Sequence, residues 1–417
     1  MIKHNLFISS IFSAVWLRHF SKGKEEVVFP CIPTLQFVKF PKLPLYRNVG
    51  GKNTKGISYT ITKGQKHSLR GSVLLCYDIH SYFQGSLPVL EKPLKLKRIE
   101  QYPGFLSYLE GVNSVQDYMQ KTLSKKSKYR FYLYQRKLEH SFEIRYTVYF
   151  GTITKETYDF LFDTFYLLLR KRFDAKQETN NNLHPDVWNF YHELIYPMIL
   201  DKRAAFFVTY DKEKPIAISL LFFSDSVAID IMRVFDIDYA SFRLGMTSII
   251  KQLEWCLAQQ FKFFDFSKGD YEYKNRWATT RYSFEYHLLY DSSSLKASLL
   301  ANGISFYFTA KQYLRDLELH IWFHKLTHQL KNTNSPKKDH AKIQFQVVSI
   351  DLPWGNYRQI RIGSIEEEHL NKTLYDFLYQ KSEKLSDLQL FRSKIEANSY
   401  AIKGKKNTAI FTIPQPR

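Results

Sequence analysis

Strand-like and helix-like patterns of apolar residues alternate between residues 142 and 267. FEIRYTVYF (142–150) has apolar side chains at every second position, which is typical of a strand, and the segment after Thr154 has them at helical spacing. Thr154 stands just before that segment and predicts its N-cap, while Pro185 predicts the first turn of a second helix. The pattern therefore predicts one strand followed by two helices.

A hairpin and a further strand–helix–strand unit follow along the chain. RAAFFVTY and IAISLLFF flank the turn DKEKP, VAIDIMRVF (227–235) is a third strand, and a helix with apolar Ile249, Leu253 and Leu257 comes next. The strand KFFDF (262–266) closes the unit, and we expect it to lie beside residues 227–235. This order predicts a mixed α/β (α+β) fold with a sheet flanked by helices.

Two other regions enclose this unit, and we predict parts spanning 1–120, 121–290 and 291–417. The first has an amphipathic helix with Phe12 and Trp16 on its apolar side, followed by short strands and turns. The last has a helical pattern at 306–331, a polar gap, and then strands around a long helix predicted at about 365–397.

Composition adds a marked positive charge to this picture. The 417 residues are 44% hydrophobic and carry a formal charge of +20, which favours a phosphate-bearing cofactor, a nucleic acid or an acidic membrane surface as partner. Residues 121–137 hold seven Lys or Arg among aromatic residues and no acid. This basic segment predicts a helix that binds tRNA or an anionic membrane surface, or a helix with an ordinary solvated face.

Several classes of protein are disfavoured. The three cysteines are far apart, and the 13 histidines form no metal-ligand pattern, so neither a disulfide framework nor a metal site is expected. No apolar run approaches the length of roughly 18 residues that a membrane span needs. We therefore expect a cytoplasmic protein without a transmembrane span.

Candidate chemistry concentrates in FFDFSKGDYEYKNRW (263–277) and in the turn before the helix at 246–260. The first stretch is a strand that runs into a polar segment, and the second offers backbone N–H groups at a helix start, where anions bind. Asp230 and Arg233 lie on the neighbouring strand, where regular alternation would place them on opposite faces. Each of these residues, taken singly, is more often structural than catalytic.

The same residues resemble the GNAT acyltransferase superfamily. RVFDIDYASFRLGM, FFVTYDKEKPIAISLLFF and above all FDFSKGDYEYKNRWA are similar to its cellulose-biosynthesis-associated (CelD/BcsL-type) branch, which is related to the Fem peptidyltransferases. The resemblance covers residues 100–290 well and the N-terminal part faintly. It implies a GNAT-like mixed sheet, a degenerate GNAT-like N-terminal half and a C-terminal extension.

The resemblance also implies an acyl-CoA co-substrate, such as acetyl-CoA, and three groups of site residues. The residues expected to bind the cofactor phosphates are Ser241, Arg243, Leu244, Gly245 and Met246. Four residues are expected to be catalytic: Asp270, Glu272, Tyr273 and Lys274. A carboxylate would act as the base and a tyrosine as the acid, and the lysine would stabilise negative charge. The residues expected to bind the acceptor are Lys268, Gly269, Tyr271 and Arg276.

Three functions remain open on the sequence. The first is transfer of an acyl group from acyl-CoA to an amine of a sugar or another cell-envelope or polysaccharide precursor, which is nucleotide-linked or lipid-linked. The second is a Fem-like transfer from aminoacyl-tRNA, in which the basic segment 121–137 holds the tRNA. The third is a catalytically degenerate module that binds through its basic surface.

Overall fold

A computed structural model describes residues 5–65, 67–82, 90–316, 346–347, 352–363 and 369–413. Its helices are α1 (Ser10–Phe20), α2 (Val115–Thr122), α3 (Lys125–Ser141), α4 (Lys155–Lys176), α5 (Pro185–Leu200), α6 (Leu244–Ala258), α7 (Glu272–Trp277), α8 (Leu295–Asp316) and α9 (Asn371–Lys381). Its first strands are β1 (Glu26–Phe29), β2 (Ile32–Lys39), β3 (Leu45–Asn48), β4 (Val73–His80), β5 (Leu94–Tyr108) and β6 (Ile144–Tyr149). The strands of the central unit are β7 (Ala204–Asp211), β8 (Lys214–Ser224), β9 (Val227–Phe235), β10 (Phe263–Lys268) and β11 (Thr280–Asp291). The C-terminal strands are β12 (Gln346–Val347), β13 (Tyr357–Ile360), β14 (Gln389–Ser393), β15 (Ser399–Lys403) and β16 (Thr408–Thr412).

Local sequence signals account for where many of these helices begin. The Thr154 hydroxyl accepts a hydrogen bond from the Thr157 N–H at the start of α4, and Pro185 occupies the first turn of α5, as predicted. Serine caps α1, α2 and α3 in the same manner. Every residue of β7 is buried, which explains its nearly continuous apolar run.

One sheet of eleven strands spans the first two predicted parts of the chain, in the order β1-β2-β3-β4-β11-β5-β10-β9-β8-β7-β6. The strands β1–β5 form one half and β6–β10 the other, and the halves join where β5 and β10 pair antiparallel. The strand β11 is inserted between β4 and β5, so the predicted 121–290 segment returns into the half formed by the first 120 residues.

Helices cover both faces of the second half of this sheet. On one face α1, α4 and α5 pack against it around Phe12, Phe165 and Phe190. On the other face α2, α3 and α6 pack around Phe131 and Leu253. This arrangement confirms the predicted mixed α/β fold, and within the described ranges no helix is long and apolar enough to cross a bilayer.

The C-terminal part forms a separate sheet, β12-β16-β15-β14-β13, with α9 beside it. The helix predicted at about 365–397 is wrong in its extent: α9 ends at Lys381 because Ser382 takes a left-handed conformation (φ 54°), and β14 follows. Part of the predicted helix at 306–331 and the polar gap lie outside the described residues.

The strands β9 and β10 separate along their length. They pair in parallel, as predicted, only from Val227 to Ile229, whereas β9 stays paired with β8 as far as Phe235. Beyond Ile229 the two parallel strands therefore diverge at the edge of the sheet where both have their carboxyl ends. The helix α6 begins at that same edge, because it follows β9.

Candidate active site

A β-bulge at the start of the divergence decides where the polar side chains of β9 lie. Leu220 of β8 pairs with Met232 and Leu221 pairs with Asp230, so Ile231 is an extra residue in β9. The bulge brings Asp230 and Arg233 together as a buried ion pair. The sequence expectation that they occupy opposite faces is wrong, because it assumed an unbroken period of two.

Several buried polar atoms around this ion pair have no hydrogen-bond partner within the described part of the chain. They are Asp230 Oδ1, Arg233 Nε and Nη1, Gln252 Nε2 of α6 and Ser267 Oγ of β10. Arg233 and Gln252 are neighbours, with 3.4 Å between Arg233 Nη2 and Gln252 Oε1. Buried polar groups are nearly always paired, so these unpaired atoms mark the opening between β9 and β10 as a place for a polar ligand.

Lys274 provides a buried amine beside the opening. Its side chain is held by two backbone carbonyls, with Nζ 3.1 Å from the Ser267 oxygen and 2.7 Å from the Lys268 oxygen, and the residue is 4% exposed. Burial lowers the pKa of Lys274 to about 8, although the nearby carboxylates of Asp230 and Asp265 act to raise it. This amine therefore changes its protonation state close to neutral pH.

Tyr273 and two arginines lie near the same opening. The Arg233 guanidinium lies 5.3 Å from the centre of the Tyr273 ring, and burial raises the pKa of Tyr273 to about 12, so its hydroxyl keeps its proton. Burial acts to lower the pKa of Arg233, but Asp230 and Tyr273 together act more strongly in the opposite direction, and the pKa is raised. Burial lowers the pKa of Arg172 on α4, and the positive charge of the neighbouring Arg233 lowers it further.

A second buried cluster lies around Asp265 of β10. Its carboxylate accepts hydrogen bonds from the Tyr82 hydroxyl (2.9 Å), the Tyr282 hydroxyl (2.7 Å) and the Ser267 N–H (2.7 Å). Burial raises the pKa of Asp265 to about 6. Burial also lowers the pKa of His80 to about 3, so the imidazole 3.9 Å from Asp265 is neutral and makes no ion pair.

The N-terminal half also reaches this region. Lys268 Nζ lies 2.7 Å from Asp78 Oδ2, and Asp78 is a buried residue of β4 with a left-handed backbone (φ 55°). Burial lowers the pKa of Lys55 to about 7, with Lys268 acting in the same direction. Sequence reasoning missed Asp78, Lys55 and Asp265. For Asp265 the available signal was that it is the single carboxylate inside the apolar run FFDF.

The polar stretch after β10 divides into buried and exposed residues. Asp270, whose side chain is 54% exposed, lies 3.6 Å from the Arg281 guanidinium, and Glu272 is paired with Arg276 on the surface of α7. Tyr271 is exposed, and Gly269 takes a φ of +109° that favours glycine. The structure thus brings Tyr273 and Lys274 to the opening and leaves most of the other predicted residues of this stretch at the surface.

Trp277, the last residue of the motif, belongs to the core. It is fully buried and stacks on Phe131 of α3, with 5.4 Å between ring centres. Its carbonyl accepts hydrogen bonds from the hydroxyls of Tyr118 and Ser107. Trp277 therefore anchors α7 against the sheet and keeps Lys274 buried.

The residues predicted to bind phosphates lie at the start of α6. Arg243 is exposed in a left-handed conformation (φ 52°), and Gly245 is close enough to Phe235 that a Cβ would lie 3.3 Å from its ring. Leu244 is fully buried and Met246 is half-buried. The Ser241 hydroxyl donates to Asp376 of α9, so the C-terminal part packs directly against this turn.

Comparison with known families identifies the central region. Residues 125–275 match the model of a family described as "Acetyltransferase (GNAT) domain". The chain carries a GNAT-type acyltransferase domain. This domain includes β6–β10, the opening between β9 and β10, and Lys274. No curated protein matches the chain.

Several solved structures are similar to the chain at low identity. A conserved protein of unknown function from Bacteroides thetaiotaomicron is 11% identical, with a TM-score of 0.46 over 69% of this chain and 91% of its own. FemX is 11% identical, with a TM-score of 0.44 over 68% of this chain and 93% of its own. L-PGS from Bacillus licheniformis is 10% identical, with a TM-score of 0.41 over 70% and 92%.

Proposed function

We propose that this enzyme transfers an acyl group from acyl-CoA, such as acetyl-CoA, to an amine of an anionic acceptor. The observation that carries the proposal is the opening between β9 and β10, which lies within the GNAT-type domain and is lined by unpaired buried polar atoms. The β9 backbone beyond Ile229 is no longer paired with β10 and offers its N–H and C=O groups to the donor. The start of α6 would then bind the donor phosphates through Arg243, Leu244, Gly245 and Met246, whereas the Ser241 hydroxyl, also predicted for this role, already donates to Asp376.

Lys274 is the proposed general base. In its neutral form its two N–H groups donate to the carbonyls of Ser267 and Lys268, which leaves the nitrogen lone pair free for the proton of the acceptor amine. A pKa of about 8 suits proton transfer near neutral pH. We prefer Lys274 to Asp270 and Glu272 for this role because both carboxylates are exposed and ion-paired.

Arg233 and Tyr273 would stabilise the reaction centre. The acceptor nitrogen attacks the thioester carbonyl, and negative charge develops on the carbonyl oxygen, where the Arg233 guanidinium or the Tyr273 hydroxyl can donate. When the C–S bond breaks, the leaving thiolate takes a proton from the medium or from Tyr273. Both side chains are partly buried, which strengthens their interaction with the developing charge.

The acceptor is proposed to be a sugar amine or another cell-envelope or polysaccharide precursor, in line with the resemblance to the CelD/BcsL-type branch. Lys268, Lys55 and Arg172 lie around the opening and favour an acceptor with a phosphate or carboxylate group. Gly269, Tyr271 and Arg276 would form the outer wall of the acceptor site.

A titration with acetyl-CoA tests the donor. We expect saturable binding by calorimetry and protection of residues 239–246 and 230–235 from hydrogen exchange. As a control, the variant Lys262→Met, which changes an exposed lysine paired with Glu110 outside the site, should bind acetyl-CoA as the unmodified protein does. Absence of both binding and protection would contradict the acyl-CoA proposal.

One observation favours a Fem-like donor as a second candidate. The helix α3 exposes Lys125, Lys126 and Arg130 to solvent, a surface suited to tRNA phosphates. If aminoacyl-tRNA is the donor, binding should weaken steeply with salt and be lost when these residues and Lys128 are neutralised. Unchanged tRNA binding by that variant would exclude this role for α3.

A further inference from the structure

The helix α8 has an apolar side that none of the described residues covers. Its inner side packs against β4, β5 and β11 through Ala297, Ala301 and Phe308, and the Phe308 ring stacks on Tyr286 with 3.9 Å between ring centres. The outer side of the same helix carries large exposed apolar side chains: Leu295, Leu299, Phe306, Tyr307, Tyr313 and Leu314. Among the described elements, α8 carries the largest number of such residues.

The spacing of these residues makes them a continuous stripe. Leu299, Phe306 and Tyr313 are seven residues apart, which is close to two helical turns, so they lie along one line of the helix. They are 63%, 76% and 64% exposed. Single exposed apolar residues are ordinary, but a stripe of this kind marks a surface that meets an apolar partner.

Charge around the stripe indicates the nature of that partner. The helix contains three basic residues, Lys296, Lys311 and Arg315, and one acidic residue, Asp316, at its C-terminal end. Lys296 and Lys311 are exposed beside the stripe, whereas Arg315 lies over the Tyr102 ring at 3.6 Å. An apolar stripe on a helix with a net positive charge is complementary to the headgroup region of an anionic bilayer.

A second copy of the chain fits this surface less well. If two α8 stripes faced each other in parallel, Lys296 and Lys311 of the two copies would come together, and α8 has only Asp316 to set against its three basic residues. We propose that α8 docks the enzyme on an anionic membrane surface, lying in the interface with Leu299, Phe306 and Tyr313 inserted between the headgroups.

Vesicle co-sedimentation of the full chain, without an acyl donor, tests this proposal independently of acyl transfer. We expect binding to phosphatidylcholine vesicles that contain phosphatidylglycerol, weaker binding in high salt, and little binding to pure phosphatidylcholine. The triple variant Leu299→Ser, Phe306→Ser, Tyr313→Ser should bind at least about tenfold more weakly. The double variant Phe160→Ser, Leu167→Ser, which removes exposed apolar residues of α4, should bind as the unmodified protein does.

Two further measurements keep the outcome decisive. If the triple variant melts at a lower temperature, the variant Lys296→Gln, Lys311→Gln serves in its place, and its binding to anionic vesicles should also fall. Unmodified protein that does not bind anionic vesicles, or an equal loss in the α4 control, would overturn the proposal. Sedimentation velocity that shows a dimer lost in the triple variant, without vesicle binding, would assign the stripe to a second copy instead.

Discussion

Buried charged residues lie on both sides of β10, and they differ in how completely they are hydrogen-bonded. Around Asp265 the carboxylate accepts three hydrogen bonds, and its neighbour His80 is kept neutral by burial. Around Asp230 and Arg233, several buried polar atoms have no hydrogen-bond partner among the residues that the structure describes. A buried carboxylate whose acceptors are satisfied, as in Asp265, holds a fold together, whereas unpaired atoms such as those of Asp230 and Arg233 have hydrogen-bonding capacity left for a ligand. The comparison therefore separates a structural hydrogen-bond network from the proposed reaction site, which lies only one strand away.

The largest effect is expected from Lys274→Met, which removes the proposed base. The acyl-transfer rate should fall by roughly 10²- to 10⁴-fold, because general-base catalysis is lost. The matched change Lys262→Met should leave the rate unchanged, as this lysine is exposed and outside the site. Steady-state kinetics with both purified variants would decide the assignment.

The pH profile of the unmodified enzyme distinguishes two roles for Lys274. As a base it must be neutral, so the rate should rise with pH and level off above about 8, where burial has placed its pKa. A rate that falls as the pH passes through 8 would instead show that the ammonium form is needed to stabilise negative charge. In either case the step near pH 8 should be absent from the residual rate of the Lys274→Met variant.

The next largest effect is expected from Arg233→Met, which leaves the buried Asp230 carboxylate without its partner. Unfolding by denaturant should show a loss of about 3–5 kcal/mol, because an unpaired buried charge is costly. The double variant Asp230→Asn, Arg233→Met should recover much of this stability while remaining inactive. If the single and double variants were equally stable, the pair would not be the buried ion pair described above.

A smaller change is expected for Asp265→Asn, about 1–3 kcal/mol of stability, because one carboxylate oxygen becomes an NH2 donor and the groups that donated to it lose their acceptor. Burial raises the pKa of Asp265 from 3.8 to about 6, so the folded protein binds this proton more tightly than the unfolded chain. Its contribution is thus present at low pH and is lost as the pH rises through 6. The variant should lack that decline in melting temperature between pH 4 and 6.

The smallest effect is expected from Asp270→Asn and Glu272→Gln. Both side chains are exposed and paired with surface arginines, so each change should alter stability by less than about 0.5 kcal/mol. The acyl-transfer rate should change far less than in Lys274→Met. A large loss of rate with unchanged stability would return the proton transfer to one of these carboxylates.

Local signals made much of the second half of the sheet predictable. Short stretches of sequence determine the cap at Thr154, the proline in the first turn of α5 and the hairpin at DKEKP. The same holds for the neighbouring strands β9 and β10. The motif at 263–277 includes the carboxyl end of β10 and the two residues, Tyr273 and Lys274, that lie beside the opening. Which residues of the motif are buried and which are exposed could not be predicted. Lys274 is buried because Trp277 packs on Phe131, and these two residues are far apart in sequence.

The features missed by the sequence reasoning depend on distant partners or on broken periodicity. The bulge at Ile231 moves Arg233 to the side of Asp230, and no local pattern announces an extra residue. The acceptor role of Asp265 arises from Tyr82 and Tyr282, which come from elsewhere in the chain. The overlong helix predicted near 365–397 failed for a different reason, since its polar and apolar residues also fit the strand β14.

The insertion of β11 between β4 and β5 has a consequence for how the molecule is assembled. Because β11 follows α7 in the chain, the N-terminal half of the sheet is complete only after the acyltransferase segment has been synthesised. The contacts of β11 with β4 and β5 join residues about 200 positions apart, and such non-local pairing slows folding. The two halves are therefore interlaced in sequence. We expect the N-terminal half, which is synthesised first, to complete its folding last.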